Sequence, residues 1–473
     1  MNVLLIQPDI ERKRVSIEGI FPSVGLNLLA TILNQKGHPT HVVDSFMEVL
    51  IYENSELDLL KIMEQKIIEK QIQIVGISTV LQTRFKAIGI AKFVKSINSS
   101  IKVVLGGPGA SLLVSKLSKH FGECIDVVAM REGEETLPEL IEAITRGAVL
   151  SKVKGIAYKN PENPKEILLS QPREPIQNLD KIPFPDYSHY LKYLPQGQLK
   201  TASVLTSRGC PFNCSYCGTR AMWGGVRYRS PSNVIEEIVC LHKNYGVENL
   251  RIHDDTFGVN KSQTVEILEN IIKLRIKIKL YAHSRVDIVD KEILTLFKRA
   301  GGASIYYGME SGSPRIRELM GRNTTNDQIL KACAMTKELG IKLGLFLMFG
   351  YPTETPLNVK QTYELVKAID PDDVYCAVTK VQPGTQLYQV ALGRKIVSDD
   401  IWVKEDKEYY TFLSEEDEEI IKGYEIIFYE NFSKKLLRSA FEKNNDLLEA
   451  FENPKTYSLL KEKAMNVLGN ATR

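Results

Sequence analysis

Three cysteines stand within eight positions, Cys210, Cys214 and Cys217, in the stretch SRGCPFNCSYCGTR at 207–220. A disulfide uses two thiols, and a tetrahedral structural zinc uses four, commonly as two separated C-x2-C pairs. Cys214 and Cys217 make one such pair, and the sequence holds no second one. The remaining four cysteines, Cys124, Cys240, Cys333 and Cys376, lie far apart and read as small buried apolar residues. Closely spaced thiolates also bind iron–sulfur clusters, usually four to a cluster. A three-thiolate loop can carry a four-iron cluster with one iron open, so that the fourth ligand is a substrate or cofactor.

Other candidate groups follow in order. HDDTF (253–257) carries Asp254 and Asp255, HSRVD carries Arg285, GMESGS (308–313) carries Glu310 and Ser311, and FGYPTET (349–355) carries Gly350. Each is weak alone, because an Asp-Asp pair commonly caps a helix and a Glu-Ser pair commonly sits in a turn. What strengthens them is the element before each one.

From about residue 200 to 392, six apolar runs alternate with helical stretches: 202–207, 249–255, 278–285, 304–310, 342–350 and 373–379. Six strand–helix units predict a partial (β/α)6 barrel of the TIM type, and most of its strands run directly into one of those groups. Barrel active sites gather at that end. Residues 1–150 also alternate, with strand runs at 3–6, 41–44, 73–78, 102–107 and 126–130. That pattern predicts an α/β, doubly wound, Rossmann-like parallel domain, whose ligand sits at the carboxyl ends of the strands. The glycines of LGGPGAS and REGEETL fall there, either as ligand contacts or simply as tight turns.

Between the two domains, 151–199 is read as a linker. Seven of the 20 prolines fall in 161–195, a density that resists helix and sheet, while Phe184, Tyr187, Tyr190 and Tyr193 offer apolar area to bury. The region 393–473 is read as a solvated helical cap, from SEEDEEII and KKLLRSAFEKNNDLL. The chain of 473 residues is 43% hydrophobic and 25% charged with net charge +3, so no strong commitment to nucleic acid is expected. No apolar stretch approaches the roughly 20 residues of a membrane span. MNVLLIQPDI lacks a cationic leader region, and the scattered cysteines make no disulfide framework; a cytoplasmic location is expected.

CPFNCSYC resembles the C-x3-C-x2-C loop of the radical S-adenosylmethionine (radical SAM) enzymes, including the aromatic Tyr216 before the third cysteine. The resemblance implies a [4Fe-4S] cluster on Cys210, Cys214 and Cys217, with SAM chelated to the open iron and cleaved to a 5′-deoxyadenosyl radical. It further implies SAM contacts from Tyr216, Asp254, Asp255, Arg285, Glu310, Ser311 and Gly350. FPSVGLNLLATILNQKGH, VGISTVLQT, VVLGGPGAS and REGEETLPEL resemble the cobalamin-binding domain that precedes many such barrels. Cobalamin contacts are then implied at Ser78, Thr79, Leu81, Gln82, Gly106, Gly107, Glu132, Gly133, Glu134 and Thr136. A nucleotide-type Rossmann domain is disfavoured, since no G-x-G-x-x-G follows the first strand. The D-x-H-x-x-G motif that ligates cobalt from below is missing too; His38, His41 and His120 lie in other settings.

The group so resembled contains class B methyltransferases and the anaerobic magnesium-protoporphyrin cyclase-like enzymes. The leading expectation is a C-methyltransferase that moves a methyl from methylcobalamin to an unactivated carbon of a small molecule or lipid. An external one-electron donor such as flavodoxin or ferredoxin would reduce the cluster. The alternatives are a non-methylating enzyme of oxidative cyclisation or ring rearrangement, and a non-catalytic cobalamin-binding sensor. A methylthiotransferase would need a second three-cysteine cluster near the amino terminus, where only Cys124 stands.

Overall fold

The run VLLI forms β1 (Val3–Gln7), whose Val3, Leu4 and Ile6 are fully buried because helices cover both faces of the sheet. The computed structural model describes residues 1–8, 21–45, 47–48, 56–163, 166–405, 407, 409–433 and 453–470. Parallel to β1 run β2 (Thr40–Asp44), β3 (Ile74–Ser78), β4 (Lys102–Gly106) and β5 (Val127–Ala129), in the order β2-β1-β3-β4-β5. The order reverses at β1/β3, and a doubly wound sheet binds ligands at such a switch point, beyond the carboxyl ends of its strands.

This sheet does not end near residue 150. β6 (Ile156–Lys159) and β7 (Ile167–Leu169) extend it antiparallel to seven strands, so part of the proline-rich run is sheet after all. Pro161 follows β6 and Pro172 follows β7; these prolines bound the strands without interrupting their hydrogen bonds. Tyr187 and Tyr190 are buried, as their apolar area suggested, whereas Tyr193 stays exposed.

The second sheet begins with β8 (Thr201–Val204). A short antiparallel ribbon follows, β9 (Ser207–Arg208) with β10 (Arg227–Tyr228). Then come β11 (Asn249–Ile252), β12 (Lys279–Ser284), β13 (Gly302–Glu310), β14 (Lys342–Phe349) and β15 (Asp373–Val378). β8 and β11 to β15 are parallel and neighbour one another in chain order, and β8 and β15 are left as open edges. This is a six-stranded, unclosed α/β barrel. Its helices start where the sequence places side-chain caps: Ser230 accepts from the Asn233 amide, Asn260 from Gln263, Asp290 from Ile293 and Thr325 from Gln328. Among the described residues no helix is long and apolar enough to cross a membrane.

The carboxyl-terminal region departs from the solvated cap. Helix Glu415–Phe432 begins with five acidic residues, Glu415 to Glu419, yet its Ile426, Ile427, Phe428 and Tyr429 are buried. It packs on β15, and the Tyr429 hydroxyl accepts from the Cys376 amide at 3.1 Å. On its other side, a Cβ added at Gly423 would stand 2.2 Å from the Leu460 carbonyl of helix Pro454–Asn470. KKLLRSAFEKNNDLL lies outside the described residues.

Candidate active site

The cysteine loop leaves β8 and is fastened at once to the end of β11. Asp254, fully buried, accepts from the Thr206 and Ser207 amides at 2.6 and 3.2 Å and from both their hydroxyls. Burial pushes its carboxyl up to about 6 against these four donors. Asp255 accepts from the Gly209 amide at 3.1 Å and the Thr219 hydroxyl at 3.0 Å. Gly209 has φ +91, and a Cβ there would stand 2.5 Å from the Gly225 carbonyl, so the turn into Cys210 needs glycine. Across the loop, the Ser215 amide donates to the Met320 carbonyl at 3.0 Å and its hydroxyl bonds that of Tyr351 at 2.8 Å.

Every thiol has a polar partner beside it. Cys210 Sγ lies 3.4 Å from the Thr256 hydroxyl and Cys217 Sγ 3.3 Å from that of Thr219. Cys214 Sγ faces two guanidinium groups, Arg285 Nη1 at 3.9 Å and Arg322 Nη1 at 3.8 Å. Burial raises the Cys217 thiol, against the hydrogen bond with Thr219. Among the described residues no three His, Cys, Asp or Glu side chains converge on one ion position, as a mononuclear zinc would ask. A four-iron cluster places each thiolate on a different iron, and a loop of three spaced sulfurs suits it.

Around the loop, Arg285 is paired to Asp287 at 2.7 and 2.9 Å and lies 3.6 Å over the Phe212 ring. Glu310, at φ +63, meets Arg322 at 3.4 Å; burial raises its carboxyl, and Arg322 opposes the shift. The Tyr216 hydroxyl accepts from Arg322 at 3.2 Å. Gly350, at φ +74, donates its amide to Glu354 at 2.7 Å, and Glu354 is pushed up to about 7 by burial. Two expected SAM contacts are engaged elsewhere. Asp254 has its oxygens occupied in anchoring the loop, and the Ser311 hydroxyl is fully buried against Thr362 and the Ser313 amide.

The carboxyl ends of the two sheets face each other across a cavity of about 650 Å³. Gln7, Ser78, Gly106 and, just after β4, Gly107 line it from the first domain; Ser207 of the β9 ribbon and Asp255 beyond β11 line it from the second. Where Cβ atoms would stand at Gly25 and Gly106 there is nothing within 4 Å, so both glycines leave the wall open to a bulky planar group such as cobalamin. Gly107 serves the backbone instead: at φ +86, its Cβ would meet the Thr79 carbonyl at 2.8 Å. Gly133, Glu132 and Glu134 also line the cavity, but Thr79, Leu81, Gln82 and Thr136 do not. The Thr79 hydroxyl bonds Thr83, Leu81 packs in the core under the sheet, and Thr136 donates to the Glu132 carbonyl.

Glu132 and Glu134 are bound by charge to the other domain. Arg208, two residues before Cys210, meets Glu132 and Glu134 at 2.6 Å each, and Arg227 meets Glu132 at 2.8 Å. The first domain and the cluster loop are thus joined by buried ion pairs along the cavity wall.

Residues 204–366 match the Radical SAM superfamily, and residues 14–141 match the B12 binding domain. Over 467 residues the chain is 32% identical to an uncharacterized methyltransferase of Pyrococcus horikoshii, covering 95% of this chain and 96% of that one. The chain belongs to the B12-binding radical SAM enzymes. This radical SAM enzyme is also 28% identical to the anaerobic magnesium-protoporphyrin IX monomethyl ester cyclase of Rubrivivax gelatinosus, over 84% of this chain and 71% of that one. Its fold is that of the cobalamin-dependent S-adenosylmethionine radical enzyme OxsB, with TM-score 0.73 at 17% identity over 97% of this chain and 72% of that one. The methyltransferase TsrM from Kitasatospora setae superposes with TM-score 0.69 at 20% identity, over 84% and 77% of the two chains. The cofactors of the B12-binding radical SAM enzyme are a [4Fe-4S] cluster, SAM and cobalamin.

Sequence reading passed over several residues of this site. Arg251 and His253 line the cavity beside Asp255, and burial lowers the histidine's pKa. Their alternation at 251, 253 and 255, along β11 and the segment that leaves it, was the available signal. Arg208, Trp223 and Arg322 gave none, since their partners are distant in sequence.

Proposed function

We propose that this enzyme transfers a methyl group to an unactivated carbon of a small molecule or lipid. The supporting observation is a cavity shared by the two domains, walled by the glycine turn Gly106–Gly107 on one side and by Asp255 and Ser207, beside the cysteine loop, on the other. When bound, the cluster with SAM supplies a hydrogen-abstracting radical and cobalamin a transferable methyl, reduction coming from a one-electron donor such as flavodoxin or ferredoxin. Cys210, Cys214 and Cys217 would hold the cluster. Asp255, already turned to the cavity, offers a carboxylate to the SAM ammonium, and Arg285 offers a cation to its carboxylate. Gly25 and Gly106 leave the room that a corrin needs, while Met222 and Trp223 put apolar surface on the wall and limit water.

The test is anaerobic reconstitution with iron, sulfide, cobalamin, SAM and a strong reductant, offering candidate substrates. Formation of S-adenosylhomocysteine in step with 5′-deoxyadenosine supports methyl transfer. Deoxyadenosine without S-adenosylhomocysteine favours a cyclisation or rearrangement, the reading that likeness to the Rubrivivax gelatinosus cyclase supports. Biological activity that survives Cys217→Ala while cobalamin still binds would favour a sensor.

A further inference from the structure

We propose that Arg285 and Arg322 grip Cys214 from two sides and raise the reduction potential of the cluster held by the loop. The proposal rests on the family reading of that loop and is independent of whether a methyl is transferred.

The three thiols are not equivalent. Cys210 and Cys217 each face a neutral hydroxyl, from Thr256 and Thr219. Cys214 alone faces cations, with guanidinium nitrogens at 3.9 and 3.8 Å. Both arginines are almost wholly withdrawn from solvent, with side chains 7% and 6% exposed, so water screens them little. Arg285 turns Nε and Nη2 to Asp287 and leaves Nη1 for the sulfur, which puts the carboxylate on the far edge of the fork. Arg322 is fixed by the Gly308 carbonyl, by Glu310 and by the Tyr216 hydroxyl.

The same two side chains hold the loop. Arg285 lies on the ring of Phe212 and Arg322 bonds Tyr216, the residues two before and two after Cys214. Each span between cysteines therefore has one aromatic held by one arginine. Position and charge arrive together.

Reduction adds one electron from an external low-potential donor to the oxidised cluster, and in this step the protein makes and breaks no bond. The added negative charge is met by two fixed cations at the sulfur of one ligand. Hydrogen bonds to the sulfurs and local charge are among the factors that set iron–sulfur potentials. The arrangement lowers the demand on the electron donor.

The experiment is a potentiometric titration of the full chain, reconstituted anaerobically without SAM or substrate, reading the reduced cluster by EPR and iron by content. Arg322→Gln and Arg285→Gln are each expected to shift the balance about tenfold toward the oxidised form, a fall of about 59 mV for a one-electron couple. Asp287→Asn, which removes the counter-charge from Arg285, is expected to shift it the opposite way. Arg322→Lys should stay within about threefold of the parent, or about 28 mV on the same conversion. Glutamine variants that hold four irons yet stay within about threefold of the parent overturn the proposal. If neither glutamine variant holds the cluster, Asp287→Asn decides alone: a rise supports the proposal and no rise overturns it. Failure of the parent chain to assemble four irons would refute the reading of the loop itself, a result distinct from a flat variant series.

Discussion

Replacing Glu132 by alanine tests the joint between the two halves of the molecule. The Glu132 side chain is 5% exposed and lies between Arg208 and Arg227, each 8% exposed. Its oxygens accept from Arg208 at 2.6 Å, from Arg227 at 2.8 and 2.9 Å, and from the Ile176 amide at 2.9 Å. Without it Arg208 keeps Glu134, but Arg227 keeps only the Ile176 carbonyl, since its Nε and Nη2 are buried without partners. Removing one partner of a buried ion pair costs about 3–5 kcal/mol, because a charge is left uncompensated. The surviving Arg208–Glu134 contact puts the expectation at the low end, about 3 kcal/mol. At about 2–4 °C per kcal/mol for a unit of 150–250 residues, the unfolding midpoint should fall by roughly 6–12 °C. The assay is thermal unfolding of the cofactor-free chain at neutral pH, with Arg146→Ala, at the exposed Arg146–Glu142 pair, as a control that leaves the midpoint unmoved. Replacing Glu132 and Arg227 together by methionine should recover part of the loss. A midpoint for Glu132→Ala that matches the parent would refute the reasoning.

Adjacent glycines separate cavity from backbone. Gly106→Leu, whose side chain enters open space, is expected to abolish retention of cobalamin, read from its visible absorption, with the midpoint unchanged. Gly107→Ala should instead destabilise by about 1–3 kcal/mol, seen as a lower melting midpoint, because its Cβ has no room beside Thr79 at a positive φ. Glu354 gives a pH signature: its folded pKa of about 7 lies above its ordinary value, so the folded state holds more protons than the unfolded one between the two. Its contribution to stability is complete below about pH 4.5 and is lost as pH rises toward 7. Glu354→Gln should therefore gain stability relative to the parent across that window, measured as the difference in melting midpoint.

Much of this was legible because it is local. Runs such as VLLI and KLGLFLMFG announce strands buried on both faces, and the C-x3-C-x2-C spacing sits on one loop. The adjacent pair Asp254 and Asp255 was only half legible. Spacing could not say that one carboxylate turns back to fasten the loop while the other faces the cavity. Helix Glu415–Phe432 was misread because five acidic residues at its start mask the apolar run IIFY behind them. Arg208 lies 76 residues from Glu132 and Arg322 lies 108 from Cys214, so no periodicity relates the partners. Only the folded chain brings them together.

Arg84 illustrates what this costs in modularity. It is 1% exposed, in the first domain, and donates to the carbonyls of Trp402, Glu405 and Lys407, some 320 residues later. Together with Glu132 and Arg208, it means that neither half carries a finished surface where the other docks. Expressed separately, each half would expose charges that evolution has hidden. A chimera that borrows a B12 module from a relative would have to import its matching acids and bases as a set, so the two modules are bound to diverge in concert.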